Sequence, residues 1–238
     1  MSPAEAHTGH RDVTGGWLRP AVFGASDGLV SNVALIAGVA GGTSAADAGG
    51  PTAVALAGLA GLAAGAFSMA VGEYVSVASQ TELAQAEIEI ERDELAHRPE
   101  AELAELTQMY VNRGLDQSLA AEVAEQLSRD DGRALEIHVR EELGLDPFDL
   151  PSPWVAAISS FLAFSVGALI PVLPYLLGAQ LLWPTLLVSF VSLFAVGVLV
   201  ARITVRPWWY SGLRQMLLGG AAAALTYGFG TLVGGGLG

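Results

Sequence analysis

Apolar and polar positions along the chain separate into long blocks instead of alternating within elements. Five stretches, about 20–42, 52–78, 153–177, 181–203 and 212–235, are apolar over nearly their whole length. Each meets the need for about 20 consecutive apolar residues in a helix that crosses a bilayer, where backbone polar groups must be satisfied within their own segment. Pro171, Pro174 and Pro184 fall inside or at the ends of these stretches, positions that membrane helices tolerate better than soluble ones. The first 19 residues are polar and lack an apolar core, so no cleavable signal peptide is expected. The pattern predicts an all-α membrane protein with five transmembrane helices and a polar helical insert between spans 2 and 3. It divides the chain into a polar N-terminus (1–19), transmembrane helices 1–2 (20–78), an acidic helical domain (79–150) and transmembrane helices 3–5 (151–238).

Charge sharpens that division. The formal net charge is −13, and residues 78–150 hold 19 of the 24 carboxylates and 6 of the 11 basic residues, which accounts for all of it. Acidity of this kind argues against a nucleic-acid partner. The chain has no Cys, which excludes disulfides, thiolate metal sites and a Cys nucleophile. It also lacks Gly-x-Ser-x-Gly, phosphate-loop and His-Glu-x-x-His motifs, so no enzymatic activity is expected. Arg11 and Arg19 precede span 1, six arginines lie in the insert, and Arg202, Arg206 and Arg214 surround the link between spans 4 and 5. All basic residues thus fall on one side of a five-span arrangement. By the positive-inside rule the N-terminus and the insert are cytoplasmic and the C-terminus is outside. Trp17, Trp183, Trp208, Trp209 and Tyr210 lie near span ends, as interfacial aromatics do.

Asp27 and Glu73 alone place carboxylates within apolar spans. An acid at that depth is costly, and it usually faces a polar cavity on a transport path. Counting helix rise from the span ends puts Asp27 roughly 10 Å, Glu73 roughly 7 Å and Met69 roughly 13 Å deep from one membrane face. Met69 and Glu73 are four residues apart and share a helix face. Gly58, Gly61, Gly65, Ser68 and Gly72 form a seam of small residues on span 2. Such seams let helices approach closely, within one chain or between two.

Span 2 continues into the insert without a helix-breaking signal before Pro99. Met69, Glu73, Ser76, Gln80, Glu87, Glu91 and Glu94 stay near one face, with a drift of about 20° per heptad. A second helix, about 100–113, carries Glu102 and Glu105 and stops at Gly114. Asp116 is placed to cap a third, about 117–128, with Leu119, Val123 and Leu127 turned inward. A fourth, about 131–143, presents His138 and Glu142 four residues apart and ends at Gly144. Carboxylates with one imidazole suit Mn²⁺, Fe²⁺ or Zn²⁺, and the absence of thiolates disfavours Cu⁺. The same spacing fits a solvated acidic face and a packed histidine, and spacing alone leaves both readings open.

Laid out in order, these segments resemble the vacuolar iron transporter family. The resemblance is carried by Gly-Trp-Leu-Arg-Pro (16–20), Ser-Asp-Gly-Leu-Val-Ser-Asn (26–32), Ala-Gly-Ala-Phe-Ser-Met-Ala-Val-Gly-Glu-Tyr-Val-Ser-Val (64–77) and Glu-Arg-Asp-Glu-Leu (91–95). It continues through Glu-Glu-Leu-Gly-Leu-Asp-Pro (141–147) and Ser-Val-Gly-Ala-Leu-Ile-Pro (165–171), and extends over about residues 15–236. The resemblance implies a five-span homodimer that exports Fe²⁺, sometimes Mn²⁺, from the cytosol in exchange for protons, with the path at the dimer interface. Asp27, Met69 and Glu73 match the family's membrane path. Glu91, Glu94, Glu102, Glu105 and Glu142 match its cytoplasmic ligands, and His138 stands where some relatives have Met.

The expected mechanism follows from both readings. Glu87, Glu91, Glu94, Glu102, Glu105, His138 and Glu142 collect metal, and Asp27, Met69 and Glu73 pass it through the bilayer against protons. Fe²⁺, or Mn²⁺, Zn²⁺ or Co²⁺, is then cargo, and no cofactor is expected. The Lys-free, Ala/Gly/Arg-rich composition points to a GC-rich bacterium and hence to its plasma membrane. A metal sensor or store, a passive cation channel, and a scaffold with an acidic cap are the alternatives. Metal flux and its dependence on a proton gradient separate the first two from an antiporter.

Overall fold

The structure, a computed structural model, describes residues 17–45, 50–204 and 206–237. Arg11, used above to set the orientation, lies outside the described residues. All regular structure among the described residues is helical. The elements are α1 (Leu18–Ala45), α2 (Gly50–His97), α3 (Pro99–Asn112), α4 (Gln117–Leu127), α5 (Asp131–His138), a π-helical turn (Val139–Leu143), α6 (Pro153–Leu176), α7 (Trp183–Thr204) and α8 (Trp208–Leu237). Five of these, α1, α2, α6, α7 and α8, are long and apolar enough to cross a membrane. The chain is an all-α membrane protein. It divides into two compact units, one of Met1–Val75 with Pro153–Gly238 and one of Ser76–Ser152.

In the first unit α1 packs between α6 and α8. Glycine makes this approach possible where backbones meet. A Cβ on Gly28 would lie 2.3 Å from the Phe164 carbonyl oxygen of α6, and one on Gly230 of α8 would lie 1.9 Å from the Gly38 carbonyl oxygen of α1. No side chain fits at either distance, which is the logic of small residues at membrane helix contacts. Hydrogen bonds fasten the same helices, since bare amides and hydroxyls in hydrocarbon must find partners. The Thr226 hydroxyl donates to the Ala34 carbonyl oxygen at 2.6 Å. Outward faces are apolar, with Phe67, Val71, Leu225, Phe229 and Leu232 all exposed, as lipid contact requires.

One span boundary differs from expectation, and the prolines fall as expected. The fifth span begins at Trp208, four residues before the expected start at 212, because Pro207 supplies the first helical turn and Tyr210 N–H donates to its carbonyl oxygen. Trp208, Trp209 and Tyr210 therefore sit in that turn, where the Arg214 guanidinium lies 5.9 Å from the Tyr210 ring centre. Pro171 and Pro174 stay inside an unbroken α6, which ends where Gly178 takes a positive φ of 93°.

The second unit is a small helical assembly. Helix α2 runs unbroken to His97, and Pro99 opens α3 at its first position, where a missing N–H costs no helical bond. Asp116 occupies the cap of α4 with extended backbone, but its side chain makes no capping bond. Asp130 does cap α5, accepting from Arg133 N–H at 2.9 Å. Helix α4 buries Ala120 and Ala124, and not the expected stripe of Leu119, Val123 and Leu127. Leu119 is 49% exposed, while Val123 and Leu127 are half-buried. The alanine face permits closer packing than the leucines would.

The expected fourth helix is also corrected. Regular α-helix stops at His138 and a π-helical turn follows, closed by Gly144 in the left-handed region, whose N–H reaches the Val139 carbonyl. The extra residue in that turn separates the directions of two adjacent glutamates. Glu141 pairs with Arg113 and accepts from the Tyr110 hydroxyl at 3.4 Å, and Glu142 stays with His138.

Candidate metal centre and membrane cavity

Four elements of the insert bring four ligand-type side chains together. Glu91 comes from α2, Glu102 from α3, His138 from the end of α5 and Glu142 from the π-helical turn, and one ligand atom of each lies within 4.8 Å of all the others. His138 is 0% exposed, as are Leu106 and Val139 of the same unit. Its Nδ1 lies 3.0 Å from Glu91 Oε1, 3.1 Å from Glu142 Oε1 and 3.8 Å from Glu102 Oε2. Only the Glu142 contact has hydrogen-bond geometry, so Glu91 Oε1 is buried beside the ring without a bonding partner, as is the ring's own Nε2.

Three carboxylates around one imidazole repel one another, and burial strengthens the effect. Glu91 and Glu102 both lie past the apolar part of α2, which ends near residue 78. The Glu91 carboxyl is pushed up to about 8, first by burial, then by the negative charges of Glu142 and Glu102 and a hydrogen bond with Glu142. Glu102 is raised as well, by burial and then by Glu105 and Glu94, with His138 opposing. A group that holds a proton because negative charge is crowded there exchanges it readily for a cation.

The remaining expected insert ligands lie outside this cluster. Glu87 and Glu105 are exposed, and Glu94 pairs with Arg98 at 2.6 Å. Their charges still bear on the cluster, since Glu94 and Glu105 both contribute to the raised carboxyls.

A second arrangement lies in the membrane unit. A cavity of about 290 Å³ is lined by Asp27, Ser31 and Asn32 of α1, by Gly61, Gly65, Ser68 and Met69 of α2, and by Leu35 and Phe164. Asp27 and Met69 are thus brought to one cavity from two helices. Glu73, one turn beyond Met69, is half-buried and is not among the lining residues. The small seam of α2 is used within the chain at three positions: a Cβ on Gly58, Gly61 or Gly65 would strike Val172, Leu35 or Phe164 at 2.9, 2.3 and 2.2 Å. Asn32 is the lining residue that a search for carboxylates passes over. The signal for it is an amide in mid-span, five residues past Asp27.

Comparison with known proteins fits this picture. The VIT family model matches residues 18–231. The chain is 40% identical over 215 residues to the vacuolar iron transporter of Acanthamoeba castellanii, covering 90% of this chain and 74% of that protein. It is 31% identical over 232 residues to vacuolar iron transporter 1 of Oryza sativa subsp. japonica, covering 95% and 90%. To vacuolar iron transporter homolog 5 of the same rice it is 34% identical over 218 residues, covering 89% and 78%. A match over nearly the whole chain, spans and insert alike, means that the protein belongs to the VIT family.

Proposed function

We propose that the protein moves a divalent metal across a membrane, exporting Fe²⁺, and also Mn²⁺, from the cytosol in exchange for protons. The observation that carries this reading is the cluster of buried Glu91, Glu102 and His138 with partly exposed Glu142, in a chain whose relatives are named iron transporters. An acidic surface needs no buried imidazole, whereas a cation site does benefit from mixed oxygen and nitrogen donors. In this reading the insert, residues 79–150, is a cytoplasmic collecting domain, and exposed Glu87 and Glu105 with half-buried Glu94 draw cations toward it. Metal displaces the proton held at Glu91 and then goes on to Asp27, Met69 and Glu73 in the membrane. The N-terminus is cytoplasmic, the C-terminus outside, and the membrane is a bacterial plasma membrane. The working form is a homodimer. Ser68 and Gly72 extend the small seam beyond the part used within the chain, and a Cβ on Gly72 would meet nothing within 4 Å.

Purified protein in liposomes tests this. Under anaerobic conditions and an imposed pH gradient, Fe²⁺ is expected to accumulate, and the accumulation to stop when an ionophore collapses the gradient. Saturable binding without flux would make the protein a sensor or store. Flux indifferent to the gradient would make it a channel.

A further inference from the structure

The membrane cavity contains an oxygen that the reading above leaves unused. Asn32, in the middle of α1, is 2% exposed. Its Nδ2 donates to the Ala168 carbonyl oxygen of α6 at 2.6 Å and to the Gly58 carbonyl oxygen of α2 at 3.2 Å. Both partners are pure acceptors, so the amide nitrogen must face them; the flipped amide would set oxygen against oxygen. Both N–H groups are then used, and Oδ1 is held on the other side, buried and without a hydrogen-bond partner. Asn32 belongs to the cavity wall shared with Asp27, Ser31, Ser68 and Met69. A Cβ on Gly61 would lie 2.9 Å from Oδ1 and 2.3 Å from Leu35 Cδ2, so the missing side chain of Gly61 keeps space beside this oxygen.

We propose that Asn32 Oδ1 is a direct cargo ligand in the membrane cavity, taking a divalent cation from Asp27 and Met69. The proposal rests on the transport reading and adds a residue to it. Asn32 lies about 7.5 Å further along α1 than Asp27, toward the centre of the bilayer. A neutral carbonyl oxygen suits that depth. It replaces water around a cation without adding a second buried charge, which would be costly in the empty state and would hold the ion too firmly in the loaded one. Carbonyl oxygen also has a preference: it suits Mn²⁺, whereas Zn²⁺ is better served by nitrogen and sulfur. Asn32 therefore biases the cavity toward the harder ions, against the softness of the Met69 thioether.

A purely structural Asn32, fastening α1 to α2 and α6, makes a different prediction. The test compares Mn²⁺ and Zn²⁺ flux in proteoliposomes for wild type, Gly61→Ala and Asn32→Ser. Gly61→Ala keeps the Asn32 amide and both of its carbonyl acceptors and sets a methyl group against Oδ1 and the Leu35 side chain. Asn32→Ser removes the amide altogether and serves if Gly61→Ala fails to assemble. The expected result is a fall of at least about fivefold in the Mn²⁺/Zn²⁺ flux ratio, with size-exclusion profile and metal binding at His138 unchanged. An unchanged ratio overturns the proposal, however much total flux falls, because a fastener affects all ions alike. A wild type that moves neither ion would remove the transport reading itself. A wild type that moves both, with an unchanged ratio in the variants, removes only the role of Asn32.

Discussion

His138 Nδ1 lies 3.0 Å from Glu91 Oε1 while bonding to Glu142 instead, and the opposite ring nitrogen is buried without an acceptor. A histidine that holds a resident metal usually donates its second N–H to a carboxylate or carbonyl, which fixes the ring and raises its basicity. Here that support is missing. If Nδ1 turns to a cation, the ring proton must sit on Nε2, where nothing accepts it. The cluster therefore combines strong attraction, from three carboxylates, with a weakened nitrogen ligand. That combination suits a metal that is captured and released more than one that is kept.

Removing the imidazole separates ions by their need for nitrogen. His138→Ala is expected to weaken Zn²⁺ and Fe²⁺ binding by about 10-fold or more, at least what losing a partner that merely supports a metal ligand costs, and Mn²⁺ binding by less. Calorimetry on the purified full chain with Zn²⁺ and Mn²⁺ measures both. Equal losses for the two ions would mean that His138 only packs.

Glu91 sets a pH dependence whose sign is fixed by its raised carboxyl. Folding lifts this group from 4.5 to about 8, so between those values the folded protein holds a proton that the unfolded chain releases. Metal-free stability is accordingly highest at or below about pH 4.5 as far as this group is concerned, falls across that window, and levels off above about 8. Metal binding runs the other way: apparent affinity rises by up to about tenfold per pH unit across the upper part of the window, because each ion must displace the proton. Glu91→Gln is expected to flatten both profiles. It should stabilise the metal-free protein at pH 9 by roughly 1–3 kcal/mol, the scale of an unrelieved buried polar group, and weaken metal binding at every pH. Thermal melts and Mn²⁺ titrations from pH 6 to about pH 9 read the two effects separately.

The parts of this protein that were legible in its sequence are those set by long-range composition. Five apolar blocks read as spans because no other environment satisfies their backbones, and α2 reads as continuous because nothing between Gly50 and Pro99 breaks it. Convergence was not legible. Glu87, Glu91 and Glu94 share one face by spacing, yet packing buries Glu91 alone and leaves Glu94 to Arg98. The π-helical turn escaped as well, since an i,i+5 bond leaves no signature in residue type. Asn32 escaped for a different reason: its chemistry lies in one unpartnered atom, and which amide atom lacks a partner depends on two carbonyl groups from distant helices.

Close helix contact gives a sharp stability contrast. A methyl group on Gly28 would lie 2.3 Å from the Phe164 carbonyl oxygen and 2.9 Å from Ala168 N, and backbone cannot move aside as a side chain can. Gly28→Ala is expected to cost roughly 1–3 kcal/mol or more and to cut the yield of folded protein. At Gly228, on α8, a Cβ would meet nothing within 4 Å. Gly228→Ala is expected to stay within about 0.5 kcal/mol of wild type. Detergent-resistance and melting curves compare the pair, and equal effects would argue against the α1–α6 contact.

Transport and capture should fail separately if the two units have the proposed roles. Asp27 and Met69 line the membrane cavity, whereas the four-residue cluster is built entirely from the insert. Asp27→Asn removes the cavity's carboxylate charge with almost no change in shape, and Met69→Leu removes the thioether with little change in volume. Each is expected to lower Fe²⁺ flux by about tenfold or more while Mn²⁺ affinity at the insert stays within about twofold of wild type. Glu91→Gln with Glu142→Gln is expected to do the reverse, abolishing high-affinity binding and leaving slow flux at high metal concentration. Glu73 gives the intermediate case. Standing outside the cavity and one turn from Met69, it acts on entry, so Glu73→Gln should raise the half-saturating metal concentration more than it lowers the maximal rate. Flux and binding measured on the same preparations decide it: if Asp27→Asn left flux intact, metal would have to cross by a route that avoids this cavity.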